Sequence, residues 1–240
     1  LSIKNLLKTI KNESLNFETD NFKKLIDDSI FKCQKINTPK VRTEFSASGI
    51  SDTERQLYFS MIGLEQAPIP AQTLRKFDNG NDMHERYGVY FENANILSGK
   101  EIVVKKDEPP ISGRLDAILN ISNTLFVCEL KSIHSYGFKQ IYKTKVGKPE
   151  HISQLQVYMD ITGINNGLLV YENKDDQEFV ALHCTLDKEL IKQLYAKLFS
   201  VLEYLKIGKL PSRCIFCSIL KPNVYCSYTK ICSSMEKINE

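Results

Sequence analysis

Three short segments rich in Val, Ile and Leu, at 101–106, 113–121 and 124–133, follow one another with only turn residues between them, Pro109-Pro110 and Ser122-Asn123. Runs of this length, closed by Pro, Ser and Asn, read as strands, and three in succession predict a meander. Helical spacing returns at 148–162, where Ile152, Leu155, Met159 and Thr162 share a face, and two more strands follow at 167–171 and 179–186. A long helix at 187–207 then carries Leu190, Ile191, Leu194, Leu198, Leu202 and Leu205. The order βββαβ, followed by a further strand and helix, predicts an α/β fold built on a mixed sheet.

Upstream, 2–12 and 19–36 read as amphipathic helices, the second with Phe22, Leu25, Ile26, Ile30 and Phe31 at helical spacing. Ser51-Asp-Thr-Glu54 has the pattern of a capping box ahead of Leu57, Tyr58, Met61 and Ile62. Pro68 and Pro70 break the chain, and 71–93 reads as one or two helices, interrupted or kinked near Asn79-Gly80-Asn81. The expected organisation is a helical region at 1–96, a core at 97–186 and a C-terminal helix with a cysteine-rich tail at 187–240, together one compact unit. Of the 240 residues, 42% are hydrophobic and 25% charged, ordinary for a soluble globular chain. The net charge of +3 is only mildly basic, so any nucleic-acid-binding surface must be local. No apolar run approaches the roughly 20 residues that span a bilayer. The first residues lack a secretory stretch, and a cytoplasmic address is expected.

The strands carry the chemistry. Successive side chains of a strand alternate between its faces, so Glu129 and Lys131 share one face while Leu130 turns into the core. Asp116, in Gly113-Arg-Leu-Asp116 on the preceding strand, brings a second carboxylate to the same place. Hard divalent cations such as Mg²⁺ or Mn²⁺ take oxygen ligands, which Asp116, Glu129 and the Leu130 carbonyl offer. Lys131 is placed to orient an attacking water or shield developing charge, and the set fits phosphodiester hydrolysis. Gln154 and Tyr158 are four apart and so lie one turn apart on one helix face, whereas Gln156 points about 200° away.

Between these motifs, 134–148 interleaves Lys139, Lys143, Lys145 and Lys148 with Tyr136, Phe138 and Tyr142. Aromatic faces stack on unpaired bases while lysines follow phosphates, a composition suited to single-stranded DNA; the plainer reading is a solvated loop with aromatic anchors. Seven cysteines are present, and Cys214, Cys217, Cys226 and Cys232 crowd the C-terminal tail. Such clustering points to a metal, either a structural Zn²⁺ or an iron-sulfur cluster. Cys128 and Cys184 fall in strands and read as small buried apolar residues.

Taken in order, His84, Gly113-x-x-Asp116, Glu129-x-Lys131 and Gln154-x-x-x-Tyr158 resemble the RecB-like branch of the PD-(D/E)XK nucleases, especially CRISPR-associated RecB-like exonucleases and their phage relatives, over roughly 46–235. The resemblance implies a restriction-endonuclease-like fold and a metal-dependent DNA exonuclease acting on single-stranded ends or overhangs, 5′ to 3′. It implies His84 as a metal ligand beside Asp116 and Glu129, and Gln154 and Tyr158 as groups that position DNA. It favours a 4Fe-4S cluster over zinc in the cysteine tail, and a protein partner in recombination, repair or CRISPR adaptation. The chain departs from the family where the early cluster cysteine belongs, which stands as Thr53 ahead of Arg55. Either the four tail cysteines complete the set, the preferred reading because the loops are short, or Cys33 replaces Thr53. A flap or branched-DNA endonuclease, a DNA-trimming subunit, and a non-enzymatic metal-stapled nucleic-acid-binding module remain the alternatives.

Overall fold

A computed structural model describes residues 19–33, 40–213 and 226–236. The helix expected at 2–12, and Cys214 and Cys217, lie outside the described residues. The chain divides into two compact units, Leu1–Asn37 with Ile69–Lys76, and Thr38–Pro68 with Phe77–Glu240. In the first, α1 (Thr19–Cys33) carries Asp27, which pairs with Lys23 one turn away at 3.2 Å and with Arg75.

The second unit holds the sheet. Its elements are β1 (Phe45–Ser46), α2 (Glu54–Met61), the later part of α3 (Ala71–Asn93), β2 (Leu97–Lys106), β3 (Ile111–Ile121), β4 (Thr124–Ile133), α4 (Ser135–Thr144), α5 (Pro149–Thr162), β5 (Asn166–Asn173), β6 (Phe179–Thr185), α6 (Lys188–Lys206) and α7 (Thr229–Glu236). The six strands form one mixed sheet: β3, β4, β5 and β6 lie side by side, and β2 pairs with β3. The meander is antiparallel, while β4 and β5 run parallel because α5 intervenes between them.

Alternation along β4 and β5 covers both sheet faces. Val127, Ile133, Leu169 and Tyr171 pack in a core with Leu155, Met159, Leu194 and Leu198 of α5 and α6. Cys128, Leu130 and Val170 pack with Met83 and Tyr87 of α3 on the other side. In α6 the buried positions Ile191, Leu194, Leu198 and Val201 recur at the spacing of one helix face. Fully burying a Leu such as Leu155 or Leu198 contributes about 1.5–3 kcal/mol.

Several expectations shift. Residues 135–144, to which the sequence assigns no element and for which a solvated loop is the plainer reading, form α4, which buries Phe138 and Ile141 and leaves Tyr136 and Tyr142 exposed. The segment 71–93 is a single helix, and Gly80 within it has open space where a side chain would project. The capping box of α2 is made by Thr53 and Gln56 rather than by Ser51 and Glu54: Thr53 Oγ1 accepts from the Gln56 N–H, and the Thr53 N–H donates to Gln56 Oε1 at 3.1 Å. Cys128 is buried as expected, whereas Cys184 is only half-buried.

The feature that positions the site is a fork. The β3–β4 ladder runs from Ile121–Thr124 to Ala117–Cys128 and stops there. Nearer its start, β3 pairs instead with β1 through Ile111 and Ser112. Asp116 and Glu129 are the first residues beyond the last β3–β4 pair, where the strands part.

Candidate active site

At the fork a side chain replaces the missing ladder bond: the Leu130 N–H donates to Asp116 Oδ2 at 2.7 Å. This leaves Asp116 Oδ1 facing His84 Nδ1 of α3 at 3.4 Å. Glu101 Oε1 lies 3.8 Å from the same nitrogen. One ligand atom from each of His84, Glu101 and Asp116 falls within 4.8 Å of the others. They line, with Gly88 and Leu130, a small pocket about the size of one water.

Glu101 was missed in the sequence. Lys106 pairs with Ile111 across the β2–β3 turn, and the same register pairs Lys100 with Ala117 and Ile102 with Leu115, which sets Glu101 opposite Asp116. The strand bounds read from the sequence, 101–106 and 113–121, do not give this register, because β3 begins two residues earlier at Ile111. Its backbone is left-handed, φ 52°, close to a register shift between Leu97 and Gly99. Such irregularities re-aim a side chain. Its second oxygen receives Arg114 Nε at 2.6 Å.

On the α5 side of β4 a second chain of contacts begins. Lys131 Nζ donates to Glu129 Oε1 at 2.6 Å and to Gln154 Oε1 at 3.1 Å. Gln154 Nε2 reaches the Tyr158 hydroxyl at 3.4 Å, which donates to the Arg114 carbonyl at 3.1 Å. Gly113 makes this approach possible, since a Cβ there would meet the Tyr158 ring at 2.7 Å and Ala47 at 2.8 Å. Gln156 faces elsewhere, bonding the Thr185 carbonyl and the Asp187 N–H. The structure therefore brings His84, Asp116 and Glu101 together, and Glu129, Lys131, Gln154 and Tyr158 together in the adjoining row.

The donor set fits a hard divalent cation. The three grouped ligands supply oxygen and imidazole nitrogen, and Glu129 Oε2 is buried with no hydrogen-bond partner. An orphaned carboxylate oxygen is costly unless a cation or proton meets it. Burial, followed by the Asp116 charge, pushes Glu129 up to about 8, although Lys131 pulls it down. Burial raises Asp116 too. His151 goes the other way, pushed down to about 3 by burial and then by Lys131 and Lys148.

These directions set a pH dependence. A carboxyl raised in the folded state holds its proton more tightly there, so Glu129 contributes stability that is complete below ~4.3 and lost as pH climbs towards about 8. The depressed His151 contributes stability that is complete above ~6.5 and lost as pH falls towards about 3. Between ~6.5 and 8 only the Glu129 slope remains of the two. The metal-free protein is expected to lose up to about 1.4 kcal/mol per pH unit there. Urea melts of EDTA-treated protein across that window measure it; rising stability would contradict the assignment.

Of the tail cysteines, Cys226 and Cys232 are described. Cys232 is buried against Phe59 and Tyr228, and its sulfur receives Arg55 Nη1 at 3.2 Å. Gln56 Nε2 lies 3.7 Å from the Cys226 sulfur. Side-chain donors are thus aimed at both sulfurs. Arg55 and Gln56 sit in the first turn of α2, two and three residues after its N-cap Thr53.

The six-stranded mixed sheet with its flanking helices fits a restriction-endonuclease-like fold. Among solved structures, the chain is similar to SSO0001, at 18% identity over 90% of this chain and 96% of that one, with a TM-score of 0.53. It is also similar to an alkaline exonuclease (LHK-Exo) from Laribacter hongkongensis in complex with dAMP, at 16% identity over 69% of this chain and 89% of that one, TM-score 0.53. A phage-related exonuclease from Haemophilus somnus 129PT matches at 11% identity over 69% and 95%, TM-score 0.50. No protein-family profile and no curated protein sequence matches the chain.

Proposed function

We propose that this chain is a metal-dependent deoxyribonuclease of the RecB-like branch that degrades single-stranded DNA from ends or overhangs, 5′ to 3′. The observation that carries the reading is the fork itself, where His84, Glu101 and Asp116 converge within reach of one cation and the Glu129–Lys131–Gln154–Tyr158 row begins one strand away. The exonuclease neighbours, one of them with dAMP, support the same reading.

Asp116, with His84, Glu101 or Glu129 and the Leu130 carbonyl, would hold Mg²⁺ or Mn²⁺. When bound, the ion supplies Lewis acidity and counter-charge for phosphodiester hydrolysis. Lys131 holds a fixed positive charge beside Glu129, where it stabilises the attacking water or the charge growing on the phosphate. Gln154 fixes the ammonium, and Tyr158 braces Gln154 against the β3 backbone. Exposed Tyr136 and Tyr142 on α4, with Lys145 4.1 Å over the Tyr142 ring, offer stacking faces and cations to a single strand. No helix among the described residues is long and apolar enough to cross a membrane.

The test is digestion of linear and covalently closed circular single-stranded DNA with Mn²⁺. An exonuclease consumes the first and spares the second; equal digestion of both establishes the endonuclease alternative. For the tail we propose a 4Fe-4S cluster held by Cys214, Cys217, Cys226 and Cys232. Anaerobically purified protein is expected to be brown and to carry about four irons per chain for a cluster of that type. Colourless protein with one zinc assigns the site to structural Zn²⁺.

A further inference from the structure

We infer that His151 is a further substrate-contacting residue of this site, a neutral imidazole whose Nε2–H donates to a backbone phosphate of the bound strand beside the scissile one. The inference rests on the nuclease reading above and extends it to the strand path.

Three observations converge. Positions 151, 154 and 158 are spaced three and four apart, so His151 lies within about 60° of Gln154 and Tyr158 around α5 and continues their row towards the start of the helix. Its partner is Tyr171, which stands directly opposite Lys131 in the β4–β5 register. The polar row thus runs Tyr158, Gln154, Lys131 and then the His151–Tyr171 pair.

Hydrogen bonding fixes the tautomer. The Lys148 N–H donates to the Tyr171 hydroxyl at 2.9 Å, occupying one of its lone pairs. The hydroxyl is 3.0 Å from His151 Nδ1, and Tyr171 is fully buried, so no water competes for its proton. The phenol proton therefore goes to Nδ1, which accepts, and the ring proton resides on Nε2. His151 is half-buried, and its hydrogen bond to Tyr171 uses Nδ1, not Nε2. A half-buried ring pinned at Nδ1 by a phenol, with Nε2–H left to meet a ligand next to an active-site lysine, is a preorganised donor. Lys148, the residue before α5, adds a positive charge at the same end of the row. A phosphate oxygen meets both groups, whereas a cation would be repelled.

The experiment uses end-labelled single-stranded oligonucleotides in which one linkage at a time is replaced by an uncharged methylphosphonate, with wild-type, His151→Ala, His151→Gln and Tyr171→Phe proteins. His151→Ala is expected to lower kcat/KM about tenfold, the size of one hydrogen bond to a charged group, chiefly through KM. His151→Gln, which keeps an N–H donor, should restore most of it. Tyr171→Phe, which frees the tautomer, should fall between. One methylphosphonate position near the scissile linkage should slow wild type by the same factor and leave His151→Ala unchanged. Equal sensitivity of the two proteins to every position overturns the inference, as does a loss that follows melting temperature and is not rescued by Gln. Wild-type protein inactive on every substrate with Mn²⁺ sinks the nuclease reading and this inference with it.

Discussion

Lys131→Ala is expected to lower kcat on single-stranded DNA by about 10²–10³-fold at saturating Mn²⁺, with little change in KM. Two effects add. The ammonium, 2.6 Å from Glu129 and 3.1 Å from Gln154, is the one cation that both contacts converge on, and charge growing at the phosphate loses it. Glu129 also loses the group that pulls its pKa down against burial and the Asp116 charge. A smaller fraction of Glu129 is then ionised near neutral pH, so the defect should shrink as pH rises towards 9. Single-turnover cleavage rates against pH check both parts. A defect of the same size at every pH would separate the lysine from Glu129.

Asp116→Asn is expected to abolish measurable cleavage and weaken Mn²⁺ binding by at least about tenfold, since even partners of metal ligands contribute 10–100-fold. The same substitution should raise the melting temperature of the metal-free protein at pH 8. Asn can still accept from the Leu130 N–H at the position of Asp116 Oδ2, while the second carboxylate near buried Glu129 disappears. Removing an unfavourable buried charge is stabilising when the hydrogen bond is kept. Calorimetry with and without Mn²⁺ measures both. A destabilised apo protein with unchanged Mn²⁺ affinity would place the cation elsewhere.

How far the sequence carries the site depends on the distance between cooperating residues. Glu129 and Lys131 were legible because strand alternation is a two-residue rule, and Gln154 and Tyr158 because helical spacing is a four-residue rule. Gly113 was visible only as part of a motif. Its physical reason, the Tyr158 ring where a Cβ would stand, appears only once α5 lies over β3. Glu101 stayed hidden because its role comes from register across a turn combined with a left-handed backbone.

The fold followed the same division. The meander, α5 and α6 were foreseen from strand composition and helical spacing, although α5 is buried on every side from Ser153 to Met159, whereas β1 is two residues long and α4 is a ten-residue helix containing Gly137. Their conformations are set by what they pack on: β1 closes beside β3 where β4 has diverged, and α4 is held by Phe138 and Ile141 in the core. The tyrosine that fixes His151 belongs to a later strand, beyond the reach of any local pattern.

The most direct measurement of the central claim is release of label from linear single-stranded DNA by wild-type protein with Mn²⁺, with Mn²⁺ plus excess EDTA, and by the Asp116→Asn protein. The structure predicts short products in the first case and intact DNA in the other two. Intact DNA with wild type and Mn²⁺, or cleavage that persists in EDTA or in Asp116→Asn, would contradict a metal-dependent nuclease centred on the β3–β4 fork.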